Sequence, residues 1–84
     1  MTVLEEAKLA VEGPRQENYG SPRTNLERIA KIWSVTLGME VTWQQVAQCM
    51  IGLKLARLAN TPDHRDSWVD IAGYAACWDK GNDS

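Results

Sequence analysis

The chain has 84 residues, 44% of them hydrophobic, and a formal net charge of -2. This length suits a single domain, residues 1–84, with a thin core, because a domain this small buries only about 60% of its unfolded surface. A near-neutral balance without a dense Lys/Arg stripe excludes strong non-specific binding to duplex nucleic acid, but not capture of a small anion by a few local cations.

The first residues, Met1-Thr2-Val3-Leu4-Glu5-Glu6, are acidic and amphipathic, unlike the basic start of a signal peptide, and no apolar run is long enough to span a membrane. Cys49 and Cys77 fall inside expected helices without metal-ligand spacing, which points to a reduced cytosolic compartment. Four tryptophans and no phenylalanine favour interfaces and ligand pockets, where an indole N–H finds a partner. A small core without disulfides then predicts a homo-oligomer.

Four helices are expected, making an all-α compact bundle. The first runs from about Thr2 to Glu12: Thr2 and Glu5 match a capping box, and Gly13-Pro14 stops it. A polar loop, residues 13–21, follows. The second helix starts at Ser21-Pro22, with serine as N-cap and proline at the first helical position. Leu26, Ile29, Ala30, Trp33 and Leu37 recur at helical spacing, and Gly38 suits the stop. The third begins at Thr42, with Gln45 completing a second capping box. Its broad apolar surface (Val46, Ala47, Met50, Ile51, Leu53, Leu55 and Leu58) marks it as the central helix, and Asn60-Thr61-Pro62 ends it. The fourth runs from about His64 to Lys80, with Trp68, Ile71, Ala72, Ala75 and Trp78 expected to face the core. Gly73 in its middle suits close packing or approach of a ligand. Residues 81–84 are expected to fray.

Three polar clusters are candidates for chemistry. The first is Arg15 to Arg23, leading into a helix start, where free N–H groups and the helix dipole favour phosphate. Arg15 adds charge there and Tyr19 offers a ring for a base, although a solvated capping loop explains the same residues. The second is Lys54-Leu55-Ala56-Arg57, two cations on the central helix. They snorkel to solvent, meet acids of the fourth helix, or bind an anion. The third is Asp63, His64, Arg65, Asp66, Ser67, Asp70 and Tyr74. Asp63 has a plain role as a helix N-cap, and His64 at a helix start has a plain role on the surface. Asp66 and Asp70, four apart on one helix face, repel each other by a few tenths of a kcal/mol, so a cation is expected opposite them. Magnesium fits two carboxylates, with Glu27 as the only evident helper. Lys54 and Arg57 fit as well, in a structural network or around a ligand. One histidine and scattered serines do not make a nucleophilic triad, and the isolated glycines do not make a phosphate loop.

The combination Tyr19-Gly20-x-Pro22-x-x-Asn25, Arg28-Ile29-Ala30-x-x-Trp33, Lys54-x-Ala56-Arg57 and His64-Arg65-Asp66-Ser67-Trp68-Val69-Asp70-Ile71-Ala72-Gly73-Tyr74 resembles small phage and prophage proteins grouped as a domain of unknown function. The resemblance spans about Leu4 to Ala76 and implies action in a bacterial host cytoplasm. A looser likeness is to the all-α nucleotide pyrophosphohydrolases of the MazG type. These hold magnesium through a Glu-x-x-Glu pair on one helix and a Glu-x-x-Asp pair on the next. Here Lys54-x-x-Arg57 stands where the first pair would fall, and Asp66 and Asp70 stand where the second would. Cations in place of acids remove the metal cage and supply charge for phosphate.

Three functions follow as expectations. The leading one is a non-catalytic, cofactor-free binder of a nucleotide-derived small molecule, a sponge for a bacterial immune signal, using Arg15, Tyr19, Asn25, Lys54, Arg57, His64, Asp66, Trp68, Asp70 and Tyr74. The second is a divergent magnesium-dependent pyrophosphohydrolase with Glu27, Asp66 and Asp70 as ligands. The third is a protein-binding inhibitor of a host factor.

Overall fold

A computed structural model describes residues 1–13 and 20–83. Four helices account for most of them: α1, Val3–Glu12; α2, Pro22–Leu37; α3, Trp43–Asn60; and α4, Arg65–Asn82. There is no strand among the described residues, and none of the helices is long and apolar enough to cross a membrane.

Local chemistry sets the helix ends. At α1, the Glu5 N–H donates to Thr2 Oγ1 at 3.1 Å and the Thr2 N–H donates to Glu5 Oε1 at 3.0 Å, so two otherwise unsatisfied groups cap each other. Hydrogen bonds from the Thr2 backbone and hydroxyl hold the Glu5 carboxyl below its usual range. With the folded value depressed, this part of the cap is present above the unfolded carboxylate value and is lost as pH falls through the folded one. At α2, Ser21 Oγ accepts from the Thr24 N–H at 3.2 Å, and Pro22 occupies the first turn. Gly38 ends α2 at φ +67°, a left-handed conformation that favours glycine. Ser34 then ties the turn together: its hydroxyl donates to Ala30 O at 2.7 Å and accepts from the Val41 N–H at 2.8 Å. Thr42 and Gln45 form the second capping box at the start of α3.

The main core gathers Leu26 and Ala30 of α2 with Trp43, Val46 and Ala47 of α3, and Ile29, Trp33, Val41, Met50 and Cys77 pack against it. Helix α1 adds Ala7 and Val11, both buried, and packs mainly on α4. Ion pairs fasten its two ends: Arg65 to Glu6, and Lys80 to Glu12 at 3.0 Å. Arg65 also donates to Met1 O at 2.8 Å. These pairs are partly exposed, and such pairs contribute about 0–1 kcal/mol each. They orient α1 more than they hold it.

Two expectations about α4 need correction. Trp68 and Trp78 are about half exposed, at 48% and 49%, and Ala75 is exposed as well. The indole N–H of Trp68 donates to Pro62 O at 3.1 Å, outside the core. The reason is that α4 packs against α1, α2 and α3 together. Close approach on several sides requires small residues, and Ser67 and Gly81 are its buried ones. The large indoles are left on the outside. On α3, Leu53 and Leu55 are exposed too, as is Leu37 of α2. The C-terminal residues also differ from expectation: α4 continues to Asn82, and Gly81 is buried beneath the Trp43 ring.

A Cβ at Gly81 would lie 2.6 Å from Trp43 Cη2, whereas one at Gly52, on the exposed side of α3, would meet nothing within 4 Å. Gly81→Ala should lower the melting temperature, costing about 1–3 kcal/mol through overpacking. Gly52→Ala should raise it, by up to about 1 kcal/mol of helix propensity. Thermal unfolding of the two variants checks this pair of signs.

Candidate functional site

Three helical stripes converge on one pocket. On α2 the stripe is Pro22, Asn25, Leu26 and Ile29; on α3 it is Met50 and Lys54; on α4 it is Asp70, Gly73, Tyr74 and Cys77, with Val69 alongside. Each follows the i, i+3, i+4, i+7 spacing that puts residues on one helix face. Ala10 and Val11 of α1 and Gly20 before α2 also line this cavity of about 520 Å³. Gly73 contributes by what it lacks: a Cβ there would reach only Val11 Cγ2, at 3.9 Å, so the absent side chain leaves room between α1 and α4.

One ion pair dominates the polar part of the lining. Lys54 Nζ lies 3.1 Å from Asp70 Oδ2, with the lysine side chain 14% exposed and the aspartate 41%. The pair joins α3 to α4. Asn25 adds an amide that both donates and accepts, and Tyr74 adds a phenol and an aromatic face. The rest of the lining is apolar, except for the Cys77 thiol. Such a mixture can hold a small molecule by its faces and orient it by a few hydrogen bonds.

Of the residues picked out in the sequence, the pocket brings together Asn25, Lys54, Asp70 and Tyr74. Arg57, His64, Asp66 and Trp68 lie outside it. Arg57 and Asp66 are exposed, and no ion pair joins them among the described residues. His64 forms the N-cap of α4, and its Nδ1 lies 2.8 Å from Oγ of the fully buried Ser67. Its ring is engaged with that hydroxyl and makes no cap hydrogen bond to the backbone. Asp63, the alternative cap, is exposed one residue earlier. Arg15 and Tyr19 lie outside the described residues. Glu27 pairs with Arg23 at 2.8 Å, and Glu27, Asp66 and Asp70 do not converge. No group of three or more metal-ligating side chains occurs among the described residues. The apolar lining (Pro22, Ile29, Met50, Val69 and Cys77) went unread as a site because its spacing is also that of core. The signal that separates the two is an apolar stripe interrupted by Asn25, Lys54 and Asp70.

Comparison with known proteins places the chain in a family. The family model described as Domain of unknown function (DUF6378) matches residues 2–81. The chain belongs to this family. It is 46% identical over 76 residues to the Gene 55 protein of Mycobacterium phage D29, covering 90% of this chain and 50% of that protein. It is 42% identical over 81 residues to the Gene 55 protein of Mycobacterium phage L5, covering 95% and 52%. The chain thus spans about half the length of the curated relatives it matches. No solved structure matches it.

The Lys54–Asp70 pair should show in stability before any ligand is known. A double-mutant cycle with Lys54→Met and Asp70→Asn should give a coupling of about 1 kcal/mol, at the upper end for a partly exposed pair. Asp70→Asn should be the more damaging single change, since it leaves a mostly buried ammonium unpaired. Denaturant unfolding of the four proteins measures both, and a coupling near zero would contradict a held pair.

Proposed function

We propose that this chain is a non-catalytic binder of a nucleotide-derived small molecule, held intact between α2, α3 and α4. The observation that carries this reading is the 520 Å³ pocket in which an ion pair, an amide and a phenol share an otherwise apolar lining. A pocket of several hundred Å³ with a few convergent polar groups is the usual form of a small-molecule site. A nucleoside unit suits it: the flat base meets apolar side chains and the Tyr74 ring, while base edges and ribose hydroxyls meet Asn25, Lys54 and Asp70. In a phage, such a protein would act by sequestering a bacterial immune signal, a task that needs affinity and no catalyst. The phage relatives support that setting.

Assembly into a homo-oligomer belongs to the same proposal. Ile32, Val35, Leu37 and Met39 are all more than 60% exposed, and a run of large apolar side chains is the kind of surface that a partner covers. The hydrolase reading has less support, because Glu27 and Asp70 are each engaged by a cation. A protein-binding role draws on one specific feature, the half-exposed Trp68 and Trp78 on α4, since tryptophan is common at binding hot spots.

The test is native mass spectrometry of the protein mixed with nucleosides, nucleotides and cyclic dinucleotides, with thiol alkylation in parallel. Cys77 lines the pocket, whereas Cys49 is exposed and outside it. A bound ligand should appear as an intact adduct. At about ten times its Kd it should slow alkylation of Cys77 about tenfold, leaving Cys49 unchanged. No adduct with any compound would refute the proposal, and release of cleaved product would move the assignment to the hydrolase.

A further inference from the structure

The charges that the described residues bring to the pocket cancel. Among the described residues, its lining carries one cation, Lys54, and one anion, Asp70, and they face each other at 3.1 Å. A phosphate brought to Lys54 would also sit against Asp70. Attraction by the ammonium is then offset by repulsion from the carboxylate, and both are stronger in a partly dry site than in water. The phosphate carries no proton to share with Asp70 when it is a dianion, so the carboxylate is left facing a like charge. A hydroxyl or a base N–H does carry one.

The start of α2 borders the same pocket through Gly20 and Pro22, and two of its first-turn positions have no free N–H to offer a phosphate. Pro22 has no N–H, and the Thr24 N–H already donates to Ser21 Oγ at 3.2 Å. Arg23, in the same turn, donates to Glu27 Oε1 at 2.8 Å and to Gly81 O at 3.3 Å, and its guanidinium lies 5.4 Å from the centre of the Trp43 ring. That turn is occupied with holding α2 to α3 and α4. The rest of the described wall is the neutral amide of Asn25 and phenol of Tyr74 among apolar residues, including Leu26, Ile29, Met50 and Val69.

Resting on the binding reading above, we infer that the pocket takes an uncharged, nucleoside-like part of its ligand, and that Asp70 sets this selectivity by neutralising Lys54 and repelling phosphate. Any phosphate the ligand carries stays outside the cavity. Lys54 then acts as a hydrogen-bond donor to a base or sugar oxygen, and Asp70 accepts from ribose hydroxyls or ring N–H groups.

The test is calorimetric titration of the full chain, at low and moderate salt, with nucleosides, their 5′-monophosphates and 5′-triphosphates, and inorganic phosphate. For a base that binds, the nucleoside should match its monophosphate and triphosphate within about threefold, with little salt dependence. Inorganic phosphate should not bind. Asp70→Asn removes the neutralising charge and should shift the ratio at least about tenfold toward the monophosphate. Wild-type protein that binds the phosphorylated forms at least tenfold more tightly than the nucleoside overturns the inference and leaves the binding reading standing. An unchanged ratio in folded Asp70→Asn also overturns it. Failure of every compound to bind removes the binding reading and this inference together. Should Asp70→Asn not fold, the wild-type ratio alone decides.

Discussion

Helix α4 is packed against all three of the other helices at once, and most of this molecule follows from that constraint. A helix approached from several sides cannot carry large side chains on each of them. Ser67 and Gly81 are therefore its buried residues, Gly73 leaves space beside Val11, and its two indoles are on the outside. At one end the Trp43 ring lies on Gly81, so the largest side chain of the core depends on a glycine of α4. Along its length, Arg65 and Lys80 reach out to the acids of α1. Between these points, Asp70 meets Lys54 across the α3–α4 gap. The pocket lies where the helices are held together on either side but lack the side chains to close the space between them.

The helix limits were legible in the sequence because they are set by local chemistry. Thr2 with Glu5, Ser21 with Pro22, Gly38, and Thr42 with Gln45 each act within a few residues, and each is found in its expected role. The face of α4 was not legible in the same way. An apolar stripe at helical spacing identifies core only when a helix has one buried side, and Trp68, Ala75 and Trp78 were misplaced by that assumption. The same limit applies to the C-terminus, where Gly81-Asn82 reads as a frayed tail until Trp43, distant in sequence, is placed above it.

The candidate pocket was legible only in its polar residues. Asn25, Lys54, Asp70 and Tyr74 are residue types with a reason to be noticed on otherwise apolar helices, and the fold brings all four to one cavity. Arg57 and Asp66 were grouped with them by proximity in sequence. Three or four residues along a helix still leave a side chain tens of degrees around the axis, enough to carry both onto the surface. Leu26, Ile29 and Met50 of the lining stand on faces whose spacing reads as core, because a cavity wall and a packed interior share the same periodicity. This chain covers about half the length of its phage relatives, and all of the lining described above lies within it.

A pocket-filling substitution at Gly73 tests the binding account most directly. A Cβ is accommodated there, with Val11 Cγ2 at 3.9 Å, and replacing a mid-helix glycine favours the helix by about 1 kcal/mol. Gly73→Leu should therefore fold with unchanged helix content and an undiminished melting temperature, while the rest of the leucine side chain occupies the cavity. Binding of a nucleoside or nucleotide that the wild-type protein retains, measured by native mass spectrometry, should disappear in Gly73→Leu and persist in Gly73→Ala. Undiminished binding to a folded Gly73→Leu would place the ligand elsewhere and contradict the account.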